Sequence, residues 1–277
     1  MSTATSTADD RRSPPAVVTR AGDAMRTHGR LLRLTFRSTA YLVTDLVRGR
    51  LPLKEVLVQA WFYFSVSALP AVLVALPLGV VIAVQVGSMT DSVGANSMAG
   101  AVGGMGVMQQ IAPLAAALLI GGAGGSAIAA DLASRTIRDE IDALRTMGID
   151  PHQRLVAPRI LAMLLVAPML SVLIILMSVI ASFAVASLGQ GVAPGSYWLS
   201  FGSFASVTDL VVCLLKAAVF GFLVAVIASQ RGLEARGGPK GVADAVNAAV
   251  VLGILDCMIA NLFITQVVLM FVPMRFL

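Results

Sequence analysis

The chain has 277 residues, of which 57% are hydrophobic and only 13% are charged. An ordinary soluble domain carries about 25% charged residues, whereas here several stretches of about 20 residues are almost free of them. A helix of that length crosses the roughly 30 Å hydrocarbon core of a bilayer. The composition therefore excludes an ordinary soluble domain and predicts an all-α membrane protein with about five transmembrane helices.

The net charge of +5 does not indicate a nucleic-acid partner. The arginines are spread over segments that flank the apolar stretches, and no basic patch is interleaved with aromatic residues. The anionic inner leaflet of a membrane is a better partner for charges in this arrangement.

The first 61 residues differ in character from the rest. Residues 1–29 are polar, lack the apolar core of a signal peptide, and are predicted to form a disordered cytoplasmic tail. Residues 30–61 are predicted to form interfacial or elbow helices, because a basic stripe lies opposite an apolar stripe that includes Phe36 and Leu46. The alternative is the first helix of a soluble domain. The basic stripe consists of Arg30, Arg33, Arg37 and Arg48.

Five apolar segments follow and are predicted to span the membrane within one domain, residues 62–272. A glycine-rich loop is predicted at residues 87–106, after the first span. The second span contains the run from Gly121 to Ser126, whose nearly bare surface favours close helix packing. Residues 273–277 are predicted to form a short extracytoplasmic C-terminus. The predicted spans are residues 62–86, 107–130, 160–188, 207–229 and 242–272.

The positive charges predict the orientation. Ten Lys and Arg residues occur up to Lys54, five between Ser134 and Arg159, and three between Arg231 and Gly241, whereas the two loops on the other side have none. Because cytoplasmic loops are enriched in Lys and Arg, the N-terminus is predicted to be cytoplasmic. With five spans the C-terminus is then extracytoplasmic.

A short, densely charged segment between the second and third spans is predicted to be a cytoplasmic helix, ended by Gly148 and Pro151. Its narrow apolar stripe and charged flanks suit docking into a groove on another protein. The alternative is a helix that lies on the membrane surface. The candidate docking residues are Ile137, Arg138, Asp139, Glu140, Ile141, Asp142, Leu144 and Met147.

The sequence offers no catalytic or metal site. No phosphate-binding loop motif is present, and the two histidines, His28 and His152, have no companion ligands in their segments. Cys213 and Cys257 both fall in apolar spans, where cysteine usually behaves as a small hydrophobic residue. We therefore expect neither catalysis nor a bound cofactor in this chain.

The charged segment and its surroundings resemble a known family. Residues 124–132, 140–144 and 147–151 (GGSAIAADL, EIDAL and MGIDP) look like the signature of MlaE/YrbE permeases, and residues 231–247 resemble that family's cytoplasmic turn and last helix. The resemblance covers residues 51–272 and is closest to the actinobacterial YrbE subunits of Mce systems. In one departure, Gly122 stands where many relatives carry arginine.

The resemblance implies the permease subunit of an ABC-type lipid transporter in the plasma membrane. It implies a second YrbE-type permease as partner in a heterodimer, and MCE-domain proteins on the outer side. It also implies that an ATPase dimer docks on the charged segment, with ATP and Mg²⁺ bound by that partner rather than by this chain. The segment then acts as a coupling helix.

Three ionisable residues are predicted to lie within the membrane: Asp209, Lys216 and Asp256. Asp209 and Lys216 are two helical turns apart and therefore share a face. Such groups are costly in a bilayer and usually face protein or water, which suits contact with a lipid head group or the partner permease. The alternative is a salt bridge between Lys216 and Asp256.

Two other functions remain open from the sequence. An ion-coupled secondary transporter needs a chain of acids near the midplane, where only Asp256 and Lys216 are candidates, and no inverted repeat is evident. A non-transporting scaffold of an envelope complex needs no polar site at all.

Overall fold

The computed structural model describes residues 53–95 and 98–271, and every regular element in those residues is helical. The predicted all-α fold with five apolar helices long enough to cross a membrane is confirmed. The polar tail, the basic stripe of Arg30, Arg33, Arg37 and Arg48, and residues 272–277 lie outside the described residues. Spans 1 to 5 are Leu53–Ser92, Gly100–Ile137, His152–Gly189, Val207–Leu233 and Pro239–Phe271.

The helices extend beyond the predicted spans, most clearly into the segment that was predicted to be a glycine-rich loop. Span 1 begins at Leu53, within the predicted elbow region, and continues to Ser92, and the chain is helical again over Ala99–Gly106. Glycine is a poor helix former in water, which favoured a loop in the sequence. In the bundle its missing side chain allows close packing, since a Cβ at Gly87 would lie 2.1 Å from the Gln190 amide and one at Gly100 would lie 2.3 Å from the Tyr197 carbonyl oxygen.

Span 2 is not a regular α-helix throughout. It consists of three α-helical segments, joined by two single π-helical turns. The first π turn precedes Pro113, which has no N–H and whose ring crowds the carbonyl four residues earlier, at Gln109. The Gln109 carbonyl therefore lacks its usual α-helical donor, the N–H four residues later. The α segments are Ala99–Gly106, Ala112–Leu119 and Gly125–Ile137, and the π turns are Val107–Ile111 and Ile120–Gly124.

Spans 2, 3 and 4 form the centre of the bundle, and spans 1 and 5 lie at its sides. About half of the residues in the most apolar part of each central span are buried, compared with 33% in span 1 and 22% in span 5. The predicted close packing of the glycine run is confirmed, because a Cβ at Gly121 would meet Ile254, one at Gly124 would meet Met163 and one at Gly125 would meet Val224. The outer faces of spans 1 and 5 expose large apolar side chains, as lipid contact requires.

Two short helices connect the spans. The loop helix, Glu140–Thr146, follows span 2 at the end of the bundle that carries most of the charges; we call this the charged end. The aromatic helix, Pro194–Phe204, follows span 3 at the opposite end. Tyr197 is buried there and donates a 3.2 Å hydrogen bond to Ser182, whereas Trp198 is exposed. The aromatic helix is thereby fixed against span 3.

Candidate functional site

The loop helix is joined to span 2 by a sharp break rather than by a continuous helix. Span 2 ends at Ile137, and Asp139 then adopts a left-handed conformation with φ 57° and ψ 14°. Among the described residues it is the only non-glycine residue with positive φ. The sequence pattern predicted one charged helix here, whereas the structure has the last turns of span 2 followed by a second, separate helix. Because of this break, the loop helix does not continue along the axis of span 2.

The predicted apolar stripe divides between two surroundings. Ile141 is 3% exposed and packs in the main hydrophobic core, with Leu144 partly buried against it. Ile137 is also half-buried, at the end of span 2. Met147 is 64% exposed. Ile141 therefore anchors the loop helix to its own chain, and Met147 is the stripe residue that faces outward.

The charged residues of this segment form ion pairs and leave an outer face of mixed charge. Arg138 lies 3.0 Å and Arg135 lies 3.7 Å from the Glu140 carboxylate. On the loop helix, Arg145 lies 2.9 Å from Asp142, and both side chains are more than half exposed. Arg138, Asp139 and Asp142 are all exposed, so the outer face carries both signs of charge.

A groove of about 430 Å³ lies beside the loop helix. Its wall includes the start of span 1 and the start of span 3, and it combines apolar side chains with two acids and two arginines. A concave surface lined by both apolar and charged side chains is typical of sites that receive a side chain of another protein. The lining residues are Glu55, Arg135, Glu140, Ala143, Leu144, Met147, Arg154 and Leu155.

A second candidate site surrounds Lys216 inside the bundle. This lysine is 3% exposed, and its ammonium donates to the Thr265 hydroxyl at 2.9 Å and to the Gln109 backbone carbonyl at 3.3 Å. The Gln109 carbonyl lacks its usual α-helical donor because Pro113, four residues later, has no N–H. Lysine is therefore held by neutral oxygens from spans 2 and 5, rather than by the Asp256 carboxylate that the salt-bridge alternative predicted.

The same glutamine also connects to Asp209. The Gln109 side-chain amide donates a 3.1 Å hydrogen bond to Asp209, which lies in the first turn of span 4 and pairs with the N-cap residue Ser206. The structure thus brings Asp209 and Lys216 to one residue of span 2, whereas Asp256 lies half-buried on span 5. Sequence reasoning missed Gln109 and Thr265; the proline four residues after Gln109 was the available signal, because it deprives that carbonyl of its usual helical donor.

The five apolar helices, central glycine packing and charged end define a multi-pass helical membrane protein. Within that class the chain belongs to the MlaE permease family, whose model matches residues 56–267. The family resemblance of the sequence is thereby confirmed, and the actinobacterial YrbE branch stays a prediction.

Its relatives support this membership. A Synechocystis protein named as an ABC transporter permease is 30% identical over 230 residues, which cover 83% of this chain and 88% of that protein. A Rickettsia felis protein of the same description is 30% identical over 234 residues, covering 81% and 86%. The chloroplastic Arabidopsis protein trigalactosyldiacylglycerol 1 is 27% identical over 173 residues, which cover 62% of this chain and 49% of that protein.

Proposed function

We propose that this chain is the membrane-spanning subunit of an ATP-driven lipid transporter. Its family membership and its relatives named as ABC transporter permeases support the transporter class. The Arabidopsis relative carries the name of a galactolipid, trigalactosyldiacylglycerol, which supports lipid as the substrate class. Most of the exposed side chains on the spans are apolar. Such surfaces suit a lipid substrate, because its hydrocarbon tail needs no polar path.

A separate ATPase docks on the loop helix in this proposal, and the geometry of that helix is the observation that carries it. The helix is anchored by Ile141 from inside and presents Met147, Asp142 and Arg145 outward, next to the mixed groove. An apolar side chain that is surrounded by charges of both signs suits a protein partner, because the charges fix its orientation. An anionic membrane surface instead favours a uniformly basic face.

Lys216 contacts the polar part of the substrate or the partner permease. The Lys216 ammonium is held by two neutral oxygens, a carbonyl and a hydroxyl, so in its protonated form it attracts a phosphate or another anionic head group. Asp209 and Gln109 position this region of span 2 against span 4.

The remaining assembly follows from the family resemblance. The chain pairs with a second YrbE-type permease, MCE-domain proteins bind at the opposite end, and ATP and Mg²⁺ are bound by the ATPase. The charged end lies on the cytoplasmic side of a bacterial plasma membrane, because the Lys and Arg residues are concentrated there.

Charge reversal on the loop helix tests the docking. Asp142→Lys places a second cation beside Arg145 and reverses the exposed charge there, so we expect the ATPase to be lost when the complex is purified through this chain. The matched control is Asp244→Lys, which reverses an exposed carboxylate in the first turns of span 5. Wild-type recovery of the ATPase with Asp142→Lys, or equal loss with the control, would count decisively against docking at the loop helix.

A further inference from the structure

Arg159 is a buried cation at the charged end that the docking surface does not use. It lies near the start of span 3 and is 3% exposed. Its guanidinium donates to the Leu155 backbone carbonyl and to the Asp131 carboxylate of span 2, and Tyr63 of span 1 lies beside it. A guanidinium with so little exposure depends on its partners to offset the loss of hydration, so Asp131 is held firmly in place.

A chain of ion pairs runs from Arg159 to the loop helix. Asp131 also accepts a 3.1 Å hydrogen bond from Arg135, one turn further along span 2. Arg135 in turn lies 3.7 Å from Glu140, the first residue of the loop helix, which also pairs with Arg138 at 3.0 Å. The chain therefore begins in the buried interior of span 3 and ends beyond the break in the backbone.

The break is the point at which the chain changes direction between span 2 and the loop helix. Asp139 is left-handed, a conformation that is uncommon for non-glycine residues but that aspartate adopts more readily than most. Across the break, the Glu140 carboxylate is held by two guanidinium groups of the preceding segment. Together with the buried side chain of Ile141, these ion pairs fix the direction of the loop helix.

We infer that Arg159 is a positioning residue for ATPase coupling: through Asp131 and Arg135 it holds Glu140, and so sets the direction in which the loop helix meets the ATPase. The inference rests on the proposed function for the identity of the partner. Because Arg159 is buried at the charged end and bonded to Leu155 and Asp131 of its own chain, we assign its effect on coupling to the position of the loop helix.

A distance measurement on the permease alone tests, without the partner, whether the chain of ion pairs fixes the direction of the loop helix. Spin labels are placed at exposed positions Ala143 and Lys240, after the two buried native cysteines are replaced by alanine. We expect a narrow distance distribution in the otherwise native chain and a shifted, broadened one in Arg159→Met, with partial recovery in Arg159→Lys. Asp244→Asn is the control at the same end of the bundle and should leave the distribution unchanged.

A second variant keeps the test decisive if Arg159→Met does not fold. Glu140→Gln removes the exposed end of the chain of ion pairs without disturbing the buried arginine, and it should broaden the distribution in the same way. A native distribution in Glu140→Gln would overturn the inference.

Coupling provides the functional comparison. In the reconstituted complex, Arg159→Lys should still bind the ATPase but lower the lipid transferred per ATP hydrolysed by roughly two- to thirtyfold, the range for residues that modulate coupling without touching either ligand. Wild-type transfer per ATP in this variant would overturn the inference. Failure of the native chain to bind any ATPase would instead refute the proposed function. The distance measurement would still show whether Arg159 fixes the direction of the loop helix.

Discussion

Truncation of the outward-facing methionine of the loop helix gives the sharpest prediction for ATPase binding. Met147 is 64% exposed, although its neighbours Ile141 and Leu144 pack inward. Full burial of a methionine side chain stabilises a complex by about 1.5–3 kcal/mol. Burial of the exposed part in the ATPase therefore contributes about 1–2 kcal/mol, and Met147→Ala should weaken ATPase binding about 5- to 30-fold.

The assay is equilibrium binding of the purified ATPase to the permease in lipid nanodiscs. Met89 provides the matched control, because it is the same residue type, is 65% exposed and lies near the end of span 1 away from the loop helix. Met89→Ala should bind the ATPase as the native chain does. A change of less than about twofold in Met147→Ala, or an equal loss in Met89→Ala, would refute the assignment of the loop helix as the docking surface.

Three further changes test other parts of the account. Lys216→Met removes one charge-assisted contact of about 1.5 kcal/mol, so lipid transfer per assembled complex should fall about tenfold while ATPase binding persists; unchanged transfer would contradict a substrate contact. Gly221→Ala places a Cβ 2.6 Å from the Met163 carbonyl oxygen and should lower the free energy of unfolding by about 1–3 kcal/mol. The control Gly122→Ala, with no neighbour within 4 Å, should leave it unchanged, and equal melting temperatures for the two variants would refute this packing. A single cysteine at Arg236 should react with an impermeant maleimide only from the cytoplasmic side and one at Leu188 only from outside, and the reverse result would invert the topology.

The number of spans was predictable because the signal is local. Each apolar run is bounded by charges, and its length can be compared directly with the thickness of a bilayer. The helix ends were less predictable, as span 1 shows by continuing to Ser92. Its glycines are helical because they pack against spans that are distant in the sequence, and no local propensity reports such packing.

The candidate sites were predictable as residue types but not as contacts. The charged segment was recognisable from its composition, whereas neither the left-handed break at Asp139 nor the burial of Ile141 after it was. Lys216 was conspicuous as a lysine in an apolar span. Its partners Gln109 and Thr265 come from two other spans, so only the packed bundle identifies them.

ATP-dependent lipid transfer is the most direct measurement of the central proposal. The chain, its partner permease and the ATPase are reconstituted in donor vesicles that contain a fluorescent lipid, and transfer to an acceptor MCE assembly is followed with and without ATP. The account predicts transfer that requires ATP and is lost with Asp142→Lys. Transfer that follows an ion gradient without ATP would contradict it in favour of a secondary transporter, and intact assembly without any transfer would contradict it in favour of a scaffold.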